Sequence, residues 1–338
     1  MLRSAAIFAL LSLLCAAAWV LLPARGSNAL AQDRPETPNA EVVANLAAGQ
    51  VVIAVVKDAI LIGTVENPIE PETRVPVPTP MGGQRAGVIL GADEWFSPSS
   101  QVDLALFDQE LPHLRPRMAA VAPGPHLQQP QAGAVAGDIE TIGQGVLDRL
   151  NQVASMLHGK VDLPPTEPIT EVIIADYLED YGPEVWQLTY SITQEEETAG
   201  YWNTRVARPV YVQIWPPEKG QPHTLMEFSY PPENPRPSLL DLLRQNDPRI
   251  EKIRSSDAKM DEVAAKLLRG ESNKIDSADA TQFLRAALAA ITPPNARQAM
   301  GMIGKESGFD WILKPPPEQI TRRAHTERPA GAPTLVHP

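Results

Sequence analysis

Cysteine is nearly missing from this chain of 338 residues. The single one, Cys15, lies in a leading apolar segment. Once that segment is removed, disulfides, thiolate catalysis and cysteine-ligated metals are excluded. Histidine is also sparse. His113, His126, His325 and His337 fall in linker or tail, His158 in the last turn of an expected helix and His223 near a strand start. No two of them have metal-ligand spacing, so no metal site is expected. Basic residues are outnumbered: 29 Lys and Arg stand against 41 Asp and Glu, a net charge of −12. Phosphate contacts need clustered cations, so nucleic acid is not an expected partner. Glycine shows no three-residue period, which excludes collagen. Phosphate-binding Walker loops, paired-histidine zinc helices and calcium loops are all lacking, and no cofactor is expected.

Proline is what the chain has in excess, with 35 residues, against an ordinary usage of about 5%. Together with 21 glycines it stays below the level of a disordered low-complexity chain, and 43% hydrophobic residues suffice for a core.

Residues 4–22 form one uncharged apolar run, preceded by Arg3 and followed by Ala29-Leu30-Ala31. The small-residue pattern before Gln32 reads as the end of a signal peptide covering 1–31. The length of the run equally suits an uncleaved membrane anchor. Either way the bulk of the chain is expected to be exported, to the periplasm or outside the cell, touching the membrane only through residues 4–22 if these persist. Cleavage after Ala31 leaves 27 basic against 41 acidic residues, a net charge of −14.

The expected fold is α+β: a helix with a four-stranded antiparallel meander and C-terminal helices, preceded by a small α/β module at 39–111. In that module Asn39 caps a short helix ending at Gly49. The Val- and Ile-rich segment 51–65 makes two strands reversing at Lys57-Asp58, covered on both faces. Residues 86–92 give a third strand, and Ser97-Pro98 opens a helix to Leu111. Residues 112–136 read as a linker. The second module spans 137–314. Asp138 opens a helix whose Ile139, Ile142, Val146, Leu150, Val153 and Leu157 form one stripe. Strands are expected at 169–178, 184–194, 205–215 and 223–230. The third contains Pro209, which cannot donate to a ladder and so strains an interior position. Ser238, Asp247, the 257–269 stripe and Ser277 mark helices, Pro293-Pro294 opens a last one to about Glu306, and 315–338 is a tail.

No catalytic motif is complete. Gly143-Gln-Gly145 lacks the third glycine of a dinucleotide loop and sits in the stripe helix. Ser256-x-x-Lys259 matches an acyl-enzyme motif at four residues and reads better as a helix start. Gly270-Glu-Ser272-Asn-Lys274 falls short of a nucleophile elbow. Pro-Pro-Glu recurs after Trp215, Tyr230 and Lys314, where strand or helix ends explain it better than polyproline ligands.

Two groups remain as candidate sites. Asp176, Glu179 and Asp180 around one turn, with Glu195, Glu196 and Glu197 before another, offer carboxylates for acid–base work or stand as solvated turns of an acidic chain. Tyr201, Trp202, Tyr211 and Trp215 form the second group. Tyr211 and Trp215 alternate with Val206, Val210, Val212 and Ile214. If the valines face the core, the aromatics make an exposed binding face; otherwise the C-terminal helices cover them. These features point to a non-catalytic module binding an unidentified protein or envelope component. A carboxylate-dependent hydrolase and a membrane-anchored structural envelope protein are the alternatives.

Overall fold

Hydrogen-bond pairing divides most of the described strands between two antiparallel sheets. The computed structural model describes residues 41–42, 47–68, 73–91, 137–157, 168–178, 181–198, 201–232, 236–315 and 322–323. Both sheets and all five described α-helices belong to the unit Val42–Arg322; the other unit, Met1–Glu41 with Arg323–Pro338, contributes only Glu41 and Arg323. The fold is α+β, as the sequence predicts. The expected anchor or signal segment, the 97–111 helix and the linker lie outside the described residues. No helix among the described residues is long and apolar enough to cross a membrane.

The first sheet holds β1 (Gly49–Val55), β2 (Ala59–Glu66), β8 (Met226–Tyr230), β9 (Gln298–Gly304) and β10 (Gly308–Leu313), in the order β8-β1-β2-β9-β10. The second holds the short pair Thr79–Pro80, β3 (Arg85–Gly91), β4 (Pro168–Leu178) and β5 (Gly182–Thr198), in that order. Along the far edge of β5 lie β6 (Tyr201–Val206) and β7 (Val210–Trp215), end to end.

Four layers result. Helix α1 (Gly137–Leu157) covers the outer face of the second sheet, with Ile139, Ile142, Val146, Leu150 and Val153 packed on Val172, Ile174, Trp186, Leu188 and Tyr190. The sheets meet through Val51, Ile53, Ile60 and Ile62 on one side and Val88, Ile173, Ala175 and Val185 on the other. The outer face of the first sheet, through Val52, Ala54, Leu61 and Val65, packs on α2 (Leu239–Arg244), α3 (Pro248–Arg254), α4 (Ala258–Leu268) and α5 (Ser277–Ile291). Burying such a side chain contributes about 1.5–3 kcal/mol relative to exposure. At Gly63 a Cβ would come within 2.3 Å of Leu288, so glycine there lets α5 lie close on β2.

Four expectations need correction. Residues 41–42 are strand and Gly49 opens β1, so the short helix at 39–49 does not form as read. The last helix, 293–306, is instead the hairpin β9–β10, in which Met300 and Ile303 are buried in a β-ladder with β2. The fourth meander strand leaves its expected sheet: β8 pairs with β1. Conversely β3, read as part of the first module, pairs with β4. Strands on either side of residues 112–136 are thus hydrogen-bonded to one another in both sheets. Pro209 resolves itself by interrupting the expected third strand. The chain leaves β6 at Val206 and resumes as β7 at Val210, so the proline interrupts no ladder.

The local signals hold where geometry is local. Ser238 Oγ accepts the Asp241 amide at 2.9 Å, and Asp257 and Asp247 cap α4 and α3 in the same way. Gly270, past the end of α4, takes a φ of +73°.

Candidate functional site

Strand β4 carries two acids on opposite faces. Asp176 points to the α1 side, like Val172 and Ile174. Arg85 of β3 lies opposite it in register and Glu184 of β5 on its other side. Arg85 donates from Nε (3.0 Å) and Nη2 (2.6 Å) to Asp176 Oδ2, and also pairs with Asp138 at the start of α1. All four residues are buried. The guanidinium therefore pins β3, β4 and the N-terminus of α1 together. Breaking such a pair from one side costs about 3–5 kcal/mol, because a buried charge is left behind.

Of the acidic candidates, Asp176 is thus committed to Arg85 in the interior and is not a solvated turn residue. Glu179 and Asp180 lie outside the described residues. Glu195 and Glu196 pair in backbone register with Asn203 and Trp202 at the far end of β5, and Glu197 sits in the bulge that follows. The structure does not bring these glutamates to Asp176.

The aromatic candidates correct the sequence reading in its choice of face. Tyr211 and Trp215 are 4% and 6% exposed, whereas Val210 and Val212 are 36% and 39% exposed. Val210 and Val212, not the aromatics, face outward, while Val206 is buried. Tyr211 packs beneath α1 beside Tyr190, and Arg208 lies over its ring at 5.9 Å while pairing with Glu140. Burial raises the Tyr211 hydroxyl above its ordinary pKa, opposed by Arg208. A Cβ at Gly143 would fall 2.2 Å from that hydroxyl, and Tyr190 donates to the Gly143 carbonyl at 3.0 Å. The glycine of the incomplete dinucleotide motif therefore makes room for Tyr211. Trp215 joins the core between the sheets and meets His223 ring to ring at 5.0 Å. The cover of these aromatics comes from α1 and the facing sheet, not from the C-terminal helices. Tyr201 and Trp202 are strand residues of β6.

The other motifs resolve into structure. Ser256 Oγ donates to the Ile253 carbonyl at the end of α3, Asp257 caps α4 and Lys259 pairs with Asp279, so the motif spans the junction of two helices. Ser272 is fully buried in a 3₁₀ turn. Glu66 receives the Arg297 amide, Nε and Nη2 at 2.7–3.0 Å. Burial pushes Glu66 up, but Arg297 overrides it and holds the carboxyl below its ordinary value.

What stays open is one corner of the second sheet, on the face that meets the first. Three rows of neighbours cross that face. Ala86, Ala175, Val185 and Trp215 are all buried. In the next row Val88 and Ile173 are buried, Gln187 is half-buried and Val212 exposed. In the third Leu90 is buried, Glu171 and Thr189 half-buried and Val210 exposed. Cover fades from β3 toward β7. Among the described residues β7 pairs only with β5, and none pairs with its other edge. Burial raises the Glu171 pKa, a hydrogen bond from Gln187 opposes the rise, and no cation among the described residues contributes. Two outward valines beside a half-buried polar pair form the mixed surface typical of binding patches. Sequence reasoning named both valines, placed them in the core on one of its two alternatives, and passed over Glu171.

The protein is thus defined by its architecture as an α+β four-layer sandwich, helix on sheet on sheet on helices. No protein-family model matches the chain, and no curated protein matches it.

Proposed function

We propose that this is an exported, non-catalytic interaction protein of the cell envelope, which docks a partner on the open corner formed by Glu171, Gln187, Thr189, Val210 and Val212. The observation that carries the reading is the outward placement of Val210 and Val212 on a strand whose far edge pairs with none of the described residues. Exposed aliphatic residues grouped with hydrogen-bonding side chains favour association. Export is supported by the apolar run and the small-residue pattern before Gln32. The carboxylate-dependent alternative loses Asp176, which serves Arg85.

A photoreactive residue placed at position 212 in the producing cell tests the reading, with the same probe on exposed Arg244 of α2 as reference. A discrete cross-linked species specific to position 212 is expected. Identical patterns at both positions would refute the docking role of the corner. Mass spectrometry of the chain recovered outside the cytoplasm settles its mode of residence: a start at Gln32 means release, an intact N-terminus means anchorage.

A further inference from the structure

The corner has a charge pattern as well as an apolar one. Glu171 and Val210 occupy one row across β4, β5 and β7, so two strand spacings separate them, about 10 Å. Beside Glu171 stands a neutral amide, Gln187, and no cation among the described residues. A half-buried carboxylate lacking a positive partner gains most from an incoming one, since desolvation strengthens the attraction.

Resting on the reading of the corner as the docking surface, we infer that its occupant is a protein segment bearing a lysine or arginine about 10 Å from an aliphatic anchor. The aliphatic group packs on Val210 and Val212, while the cation reaches over Thr189 and Gln187 to Glu171. Three residues of extended chain span that distance, at about 3.3 Å each. Arginine suits the site further, because its fork bonds a carboxylate through two parallel donors. Gln187 keeps an acceptor oxygen available to the same cation.

The test pans phage-displayed random dodecapeptides on the full chain and on three variants, Glu171→Lys, Glu171→Gln and Val212→Asp, each checked for a cooperative thermal melt that shows it folded at the panning temperature. The wild-type pool is expected to enrich basic residues spaced from an aliphatic one. Glu171→Gln is expected to reduce that enrichment by about tenfold, on the scale of one partly desolvated ion pair. Glu171→Lys is expected to select acidic residues at the same spacing, and Val212→Asp to select nothing above background. A wild-type pool at background, or a Val212→Asp pool that stays enriched, refutes the corner as a docking surface. A Val212→Asp pool that empties while wild-type and Glu171→Lys pools share one charge preference refutes only the basic partner. Light scattering that finds a dimer dispersed by Val212→Asp makes a second copy the occupant and also overturns it.

Discussion

The two faces of β4 treat a carboxylate in opposite ways. At Asp176, beneath α1, Arg85 supplies two hydrogen bonds and a full charge, and Asp138 closes the group. At Glu171, on the face toward the other sheet, the partner is an amide and the surrounding cover is incomplete. The same strand thus holds one acid that secures the fold and one that meets an amide and no cation among the described residues. The difference teaches that burial alone does not mark a functional group. A buried charge with its counterion inside the molecule is consumed by structure, and one without is available for recognition.

The largest test of this contrast removes the counterion. Arg85→Met is expected to lower stability by about 3–5 kcal/mol, because Asp138 and Asp176 stay buried without the guanidinium. Urea denaturation measures it, and a loss near zero would erase the distinction between the two faces. Next is the packing over the closed face. Gly143→Ala sets a methyl against the rigid Tyr211 ring and is expected to cost about 1–3 kcal/mol. An unchanged midpoint would mean that α1 sits loosely on the sheet.

On the open face the sign reverses. Burial raises the Glu171 pKa in the folded chain. A raised carboxyl pKa favours the protonated folded form. Stability from this group is therefore fully present below the ordinary glutamate value and declines as pH rises to the folded value. Glu171→Gln is expected to remove that decline and to stabilise the chain near neutral pH by roughly 1 kcal/mol, because a neutral amide costs less to bury than a carboxylate and still accepts from Gln187. Thermal melts from acid to neutral pH should show the variant gaining on the wild type as pH rises. A variant less stable than the wild type at neutral pH would place a cation beside Glu171. The smallest effect is expected at Val212→Asp, within about 0.5 kcal/mol, as for other surface positions. A larger loss would show the valine to be core after all.

Much of the fold was legible because its signals are local. Pro248 after Asp247, Ser238 before Leu239, and the 3.6-residue stripe from Ile139 to Val153 each fix a helix through neighbouring atoms. The alternation of Trp186, Leu188, Tyr190 and Ile192 revealed a one-sided strand, and all four are buried under α1. Pairing was not legible. Nothing in Met226–Tyr230 says that it joins β1 rather than β7, since both choices give short antiparallel neighbours. Nor does Gln298–Gly304, with Met300 and Ile303 among two glycines and an alanine, show the two-residue alternation that would distinguish it from helix.

The site was half legible for the same reason. Alternation separated Tyr211 from Val210 and Val212, because side chains on a strand point to alternate faces, but the irregularity opposite Val185 and Trp186 turns Trp215 to the face of the valines. It could not say which face meets a covering layer: the aromatics are covered, but by α1 and the facing sheet and not by the C-terminal helices. Asp176 was read from its place near a turn, although its partner Arg85 lies 91 positions away in sequence.

By itself the sequence determined the composition of each element, most of the caps that bound it, and which residues share a face within a stretch free of bulges. Those properties depend on backbone dihedrals and neighbours a few residues apart. Tertiary structure alone decided which face is inside, how β1, β8 and β9 assemble into one sheet, and which carboxylate meets a cation. Each of these depends on segments far apart in the chain, where the gain from covering apolar surface and pairing charge selects among local arrangements of nearly equal worth.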